Sequence, residues 1–356
     1  MKKNWFEEKT KKLSEIGGYQ KPELNQDALK LDSNENYVIS KQFQNDIISS
    51  ARKNSDVREY PLGGVERLIQ MISKYVKMPS SMIGVGNGSD QILDLILSNF
   101  ASKQTKVLTS NPTFGFFEKR CKLYSIPLIA IPFTNEMKLD IRDFVKQSKN
   151  ADILYLDSPN NPTGFQFSKN ELQKLIKSFD GLVIIDEAYG EFGDYSLTSM
   201  VKTQENLIVV QTLSKSFGLA GLRLGYFIAN KKFTNAFMNV LQYPYPLSTI
   251  TIESGILALE KSNLIKDATK NIKIERKRIL ETLSKYDAFQ VFDSKANFIL
   301  FDAGSSYKRV YTALVEQGIS IRKLGKIGKH EGCLRITIGT KEMNSKFLLA
   351  IRDYLG

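Results

Sequence analysis

The chain has 356 residues, with 50 lysines and arginines against 38 aspartates and glutamates, for a formal net charge of +12. A single histidine, His330, and two cysteines, Cys121 and Cys333, exclude hydrolases that need a histidine base beside a nucleophile, and zinc sites of clustered Cys and His. The 42% hydrophobic content excludes a disordered chain, and the length suggests about two domains.

The charged N-terminus, Met1 to Lys9, lacks the apolar run of a signal peptide, and no apolar stretch approaches the ~18 residues of a membrane span. A soluble, cytoplasmic protein without a membrane partner is therefore expected, its two distant cysteines buried as small apolar residues. Apolar runs at 106–110, 126–132, 152–158, 182–186, 207–211 and 225–229 are short, rich in Val, Ile and Leu, and bounded by turn residues. Such runs fit strands buried on both faces. Helix-compatible spacing at 91–100, 116–123 and 169–179 alternates with them, which predicts an α/β fold with a mostly parallel, helix-covered sheet. Residues 250–285 predict one or more long helices. Strands at 296–302 and 333–339 and helices at 307–316 and 341–354 then predict a smaller α/β domain. The division expected is a large domain at 41–284 and a small one formed by 1–40 and 285–356. The lysines are spread along the chain as a solvated surface, and no nucleic-acid-binding module is present, so no nucleic-acid partner is expected. One local excess, Arg322, Lys323, Lys326, Lys329 and Arg335 against Glu331, falls in 320–335. His330 is expected on a surface loop.

Four strings carry chemistry. In Ile83-Gly84-Val85-Gly86-Asn87-Gly88-Ser89-Asp90 a glycine cluster precedes a helical run; it suits either a phosphate on free helix-start N–H groups or a capped turn. Ser158-Pro159-Asn160-Asn161-Pro162-Thr163-Gly164 follows a strand, and its two prolines and glycine fix a tight loop where ligands sit in open α/β sheets. Asp186 ends the strand of Leu182-Val183-Ile184-Ile185-Asp186-Glu187-Ala188-Tyr189; it is a turn cap, or a buried carboxylate that needs a cation or donor. Lys215 follows a buried strand among Ser, Phe, Gly and Ala, with Arg223 as its next basic neighbour, and a lysine so placed can be neutral often enough to attack a carbonyl.

Together, in this order, these strings resemble the fold-type I pyridoxal-phosphate aminotransferases from about Leu31 to Gly339. Within that family Asn34-Glu35-Asn36, Tyr60-Pro61, Gly88-Ser89-Asp90, Asn297-Phe298 and Leu334 to Thr340 are most similar to the histidinol-phosphate aminotransferases. The chain departs from that pattern at Tyr37-Val38-Ile39, where Pro and then Tyr or Phe are usual.

The resemblance implies pyridoxal 5'-phosphate as cofactor. Lys215 would hold it covalently and then move the Cα proton of the substrate. Asp186 would pair with the protonated ring nitrogen, Asn161 and Tyr189 would hydrogen-bond the ring's phenolic oxygen, and Phe114 would stack on the ring face. The N–H groups of Ser89 and Asp90, with Ser214 and Arg223, would hold the cofactor phosphate. Tyr60 would reach the same phosphate from a neighbouring subunit, which implies a homodimer with shared active sites. Arg335 would bind the substrate's phosphate or the glutamate carboxylate, assisted by Arg322, Tyr19 and Asn34. The activity implied is amino transfer from L-histidinol phosphate to 2-oxoglutarate. An aromatic amino-acid aminotransferase or a threonine-phosphate decarboxylase on the same fold is the alternative, and a basic nucleic-acid-binding protein the remote one.

Overall fold

Strands buried on both faces organise the middle of the chain, as its apolar runs require. In the computed structural model, which describes residues 2–18 and 27–356, the chain begins with α1 (Lys2–Ile16), β1 (Leu29–Leu31), α2 (Lys41–Lys53) and α3 (Gly64–Val76). There follow β2 (Ile83–Asn87), α4 (Gly88–Phe100), β3 (Val107–Asn111), α5 (Gly115–Tyr124), β4 (Leu128–Pro132), α6 (Ile141–Gln147) and β5 (Ile153–Asp157). Next come α7 (Lys169–Ser178), β6 (Leu182–Asp186), β7 (Leu207–Thr212), β8 (Leu224–Ile228), α8 (Lys231–Ala236), α9 (Thr249–Glu260) and α10 (Ser262–Leu283). The last part holds β9 (Gln290–Val291), β10 (Phe298–Asp302), α11 (Tyr307–Glu316), β11 (Ile319–Ile327), β12 (His330–Thr337) and α12 (Lys341–Leu355).

A seven-stranded sheet runs in the order β2-β8-β7-β6-β5-β3-β4. Strands β3 to β7 are parallel, and β8 lies antiparallel to both of its neighbours. Alternation along β5 shows why the predicted runs are strands. Leu154 and Leu156 face one core with Leu172, Leu175 and Ile252, while Ile153 and Tyr155 face a second core with Ile92, Ile96 and Phe117. A period of two with both faces apolar is the mark of a strand covered by helices on each side. Within β2, Gly84 and Gly86 are strand residues rather than turn residues; a Cβ on Gly84 would enter the Phe227 ring, and one on Gly86 would press on Ile92.

A second, five-stranded sheet has the order β1-β11-β12-β10-β9. Ile272 and Ile279 of α10 and Phe347 and Ile351 of α12 join Phe298, Leu334 and Ile336 in its core. The short β1 runs parallel to β11, with Leu29 opposite Ile319, so the early chain is tied to the late chain. The predicted helical stretch 250–285 is two helices, α9 and α10, meeting at Lys261. No helix among the described residues is long and apolar enough to cross a membrane.

His330 corrects an expectation. It is the first residue of β12 and is buried, not a surface-loop residue. Its ring nitrogens lie 3.0 Å from Asp302 Oδ2 and 2.8 Å from the Asn135 carbonyl oxygen, and the ring sits edge-on to Phe292. The turn at Gly328 folds β12 back against β11, and the carboxylate of Asp302 on β10 gives the imidazole a polar partner inside. Cys121 and Cys333 are buried, as expected.

Candidate active site

Parallel strands end on one edge of a sheet, and their carboxyl ends bring together residues far apart in sequence. Asp157 closes β5 and Asp186 closes β6, opposite one another in register. Thr212 closes β7, and Lys215 follows three residues later. Around this edge lies a cleft of about 430 Å³ that reaches across to the second sheet. Of the residues singled out from the sequence, the structure brings twelve to its walls: Asn34, Ser89, Asp90, Phe114, Asn161, Asp186, Tyr189, Ser214, Lys215, Arg223, Arg322 and Arg335. Tyr60 is not among them; it is exposed and stacks on Tyr245 with ring centroids 4.2 Å apart. Tyr19 lies outside the described residues.

The floor of the cleft is acidic. Asp186 is buried, with Oδ1 accepting from the Ala188 N–H at 3.0 Å and Oδ2 from the Tyr155 hydroxyl at 3.2 Å. Burial, reinforced by the neighbouring Asp157, pushes its carboxyl up to about 7. No lysine or arginine among the described residues hydrogen-bonds to Asp157 or Asp186, so this floor is unbalanced without a cation from a bound group. Lys215 stands apart from it, its Nζ donating to the Ser33 carbonyl at 3.1 Å. Burial, with Arg335 nearby, pulls its ammonium down to about 8. A lysine so depressed is a usable nucleophile and base near neutral pH.

Helix α4 starts at the rim. Gly88 enters it with φ +77°, a conformation natural to glycine, and a Cβ there would collide with the Arg223 guanidinium. Ser89 and Ser214 are buried at this end, Ser214 held by Thr212 through a 3.0 Å hydroxyl–hydroxyl bond. Arg223 Nη2 donates to Asp90 Oδ2 at 2.9 Å. Helix-start N–H groups, two hydroxyls and a guanidinium are a donor set of the kind that can receive a phosphate. With the cation-demanding floor and the depressed lysine, these residues fit pyridoxal phosphate.

The second sheet supplies the roof. Asn34, in the left-handed region at φ +56°, donates from Nδ2 to the Tyr189 hydroxyl at 2.8 Å. Asn161 Nδ2 approaches the same hydroxyl at 3.5 Å. Arg335, on β12 opposite Arg322 of β11, donates from Nη1 to Asn161 Oδ1 at 2.5 Å and from Nη2 to the Asp32 carbonyl at 3.0 Å. The basic excess at 320–335 therefore divides. Arg322 and Arg335 line the cleft, whereas Lys326 pairs with Glu331 and Lys323 lies over the Tyr311 ring.

Sequence reasoning passed over Asp157, Ser33 and Thr212. Asp157 carried a usable signal: like Asp186, it is a carboxylate ending an apolar run. The Ser33 carbonyl left none, since a backbone acceptor is invisible in a residue list.

The family model for aminotransferases of class I and II matches residues 26–351. A histidinol-phosphate aminotransferase of Pyrococcus furiosus is 34% identical over 326 residues, which cover 91% of this chain and 92% of the relative. One of Thermoanaerobacter pseudethanolicus is 34% identical over 307 residues, 85% of this chain and 86% of the relative. The crystal structure of the histidinol-phosphate aminotransferase from Clostridium acetobutylicum is similar with a TM-score of 0.82 at 27% identity, covering 91% of this chain and 98% of that one.

Proposed function

The chain belongs to the class I and II aminotransferases, and from that membership we propose that it moves the amino group of L-histidinol phosphate to 2-oxoglutarate with pyridoxal phosphate bound in the cleft. The observation that carries this reading is one cleft lined by Lys215 and Asp186 from the edge of the seven-stranded sheet and by Arg322 and Arg335 from the second sheet. When bound, the cofactor supplies an electron sink for the negative charge that develops at the substrate Cα.

The protein's own groups do the rest. Asp186 holds positive charge at the ring nitrogen, which balances a carboxylate otherwise costly at that depth. The hydroxyl of Tyr189, fixed from behind by Asn34, and the amide of Asn161 offer donors to the ring oxygen. Phe114 would cover the ring, and the start of α4 with Ser214 and Arg223 would anchor the phosphate. Lys215 Nζ, held toward Ser33 and partly neutral, would take a proton from the substrate Cα and deliver it across the amino nitrogen to the cofactor's aldehyde carbon.

The Arg335 guanidinium receives the donor's phosphate in one half-reaction and a carboxylate of the acceptor in the other. Its planar fork matches both oxyanions. Arg322 adds charge from the next strand, and Tyr19 and Asn34 complete the substrate set. Tyr60, exposed on this chain, completes the phosphate cradle of a second copy, so the active form is a homodimer.

A donor panel tests the reading. Steady-state rates with histidinol phosphate, tyrosine, phenylalanine and threonine phosphate are compared while cofactor absorbance is followed. Histidinol phosphate is expected to give the highest kcat/KM, with release of glutamate from 2-oxoglutarate. Weak turnover of histidinol phosphate beside strong turnover of tyrosine, or carbon dioxide release from threonine phosphate, would overturn it.

A further inference from the structure

Asp157 is a strongly buried carboxylate at the cleft that the chemistry above leaves without a task. Both of its oxygens are engaged. Oδ1 accepts from the Thr113 hydroxyl at 2.9 Å and from Asn160 Nδ2 at 2.8 Å, and Oδ2 accepts from the Asn161 N–H at 2.7 Å. Thr113 directly precedes Phe114, which covers the ring face, and Asn161 reaches the ring oxygen. One carboxylate therefore ties together two separate loops, one after β3 and one after β5, that both meet the cofactor. It also lies in register beside Asp186 on the neighbouring strand.

We infer that Asp157 is a positioning residue for the cofactor: it fixes the loops bearing Phe114 and Asn161 and doubles the negative charge beneath the ring nitrogen. This rests on the proposed placement of that nitrogen at Asp186. Two like charges on adjacent strand ends repel in the free protein, and a cation arriving at Asp186 relieves both at once. The pair thus turns an unfavourable arrangement in the free protein into extra hold on a cationic ring. The ionisable groups facing Asp157 are Asp186 on β6 and Tyr155 on its own strand. Beyond them, Asp90 on α4 acts on Asp186, Cys121 on α5 acts on Tyr155, and Arg335 of β12 reaches as far as Asn161. Burial holds the Asp157 carboxyl up at about 6 in the free protein, so its charge is present at neutral pH and lost on mild acidification.

The test is equilibrium dialysis of pyridoxal phosphate against full-length apoprotein from pH 5 to 8, for wild type, Asp157→Asn and Thr113→Val. Wild type binding no cofactor would sink the cofactor reading itself, separately from this inference. With wild type binding, Asp157→Asn is expected to weaken affinity at least about tenfold above pH 7. That ratio should shrink toward one as pH falls from 7 to 5, where the wild-type carboxyl becomes protonated too. A merely structural role would give a ratio independent of pH. Thr113→Val keeps the carboxylate but removes one donor to its charged form. Its affinity loss on acidification should therefore begin at higher pH than in wild type, and this arm serves if Asp157→Asn does not fold. Unchanged affinity, a pH-independent ratio, or an unmoved Thr113→Val profile overturns the inference.

Discussion

Replacing Arg335 with lysine keeps its positive charge and removes its geometry. In the structure its two terminal nitrogens serve two acceptors, Asn161 Oδ1 at 2.5 Å and the Asp32 carbonyl at 3.0 Å, and the guanidinium lies over Phe298 with its carbon 5.1 Å from the ring centroid. A single ammonium on a flexible stem cannot hold both acceptors and also meet an oxyanion with a flat fork. Losing one charge-assisted hydrogen bond costs about 1.5–3 kcal/mol, which corresponds to roughly ten- to a hundredfold in kcat/KM. On the proposed function one guanidinium serves phosphate and carboxylate alike, so the loss should appear in both half-reactions. It should also reach kcat, because Asn161 loses the partner that fixes its amide. The assay is single-turnover kinetics of each half-reaction, with histidinol phosphate and with glutamate. A change below about threefold in either, or a loss confined to one substrate, would refute the reasoning.

Further outcomes follow from the same geometry. Asn34→Gly should weaken the hold on Tyr189 while tolerating φ +56°, whereas Asn34→Ala loses the same bond and adds about 1–2 kcal/mol of left-handed strain; thermal melts separate the two. Gly88→Ala should lower cofactor affinity by displacing Arg223 from the α4 start, measurable by dialysis, with little change for free substrate anions. The carboxyls of Asp157 and Asp186 sit above their unfolded range, at about 6 and about 7. The folded apoprotein therefore binds more protons than the unfolded chain between those values and about 4, and its stability should fall as pH rises through that window. Asp186→Asn should flatten this slope in apoprotein melts, and a slope unchanged by the substitution would contradict it.

Much of this was legible in the residues alone. Strands β3 to β8 lie where apolar runs bounded by turns predict them, because burial on both faces leaves a continuous hydrophobic string. What escaped was short, or depended on partners distant in sequence. The three residues of β1 carry no periodicity, and β11 reads as a basic segment because only one face of its sheet is apolar. The glycines at 84–88 look like one phosphate turn in sequence; only Gly88 stands at the α4 start, while Gly84 makes room for Phe227, a residue more than a hundred positions away. His330 escaped for the same reason, since its burial depends on Asp302 and Asn135. In the site, the family resemblance singled out Lys215 and Asp186, which the fold brings into one cleft, but the acceptor for Lys215 is a main-chain oxygen.

The tie between β1 and β11 has a consequence for the order of assembly during synthesis. Asn34 bonds to Thr337 across 303 positions, and Lys215 to Ser33 across 182. A ribosome delivers the seven-stranded sheet, with Lys215 and the start of α4, well before β11 and β12 emerge to receive β1. The half-made chain can present a floor and a lysine but has neither Arg335 nor a seated Asn34. Capture of an aldehyde by Lys215 on a nascent chain would thus lack the roof that orients it, and the roof is among the last parts translated. Contacts of such long sequence separation also slow folding, so the final docking of the first strand is expected to gate the appearance of activity after synthesis.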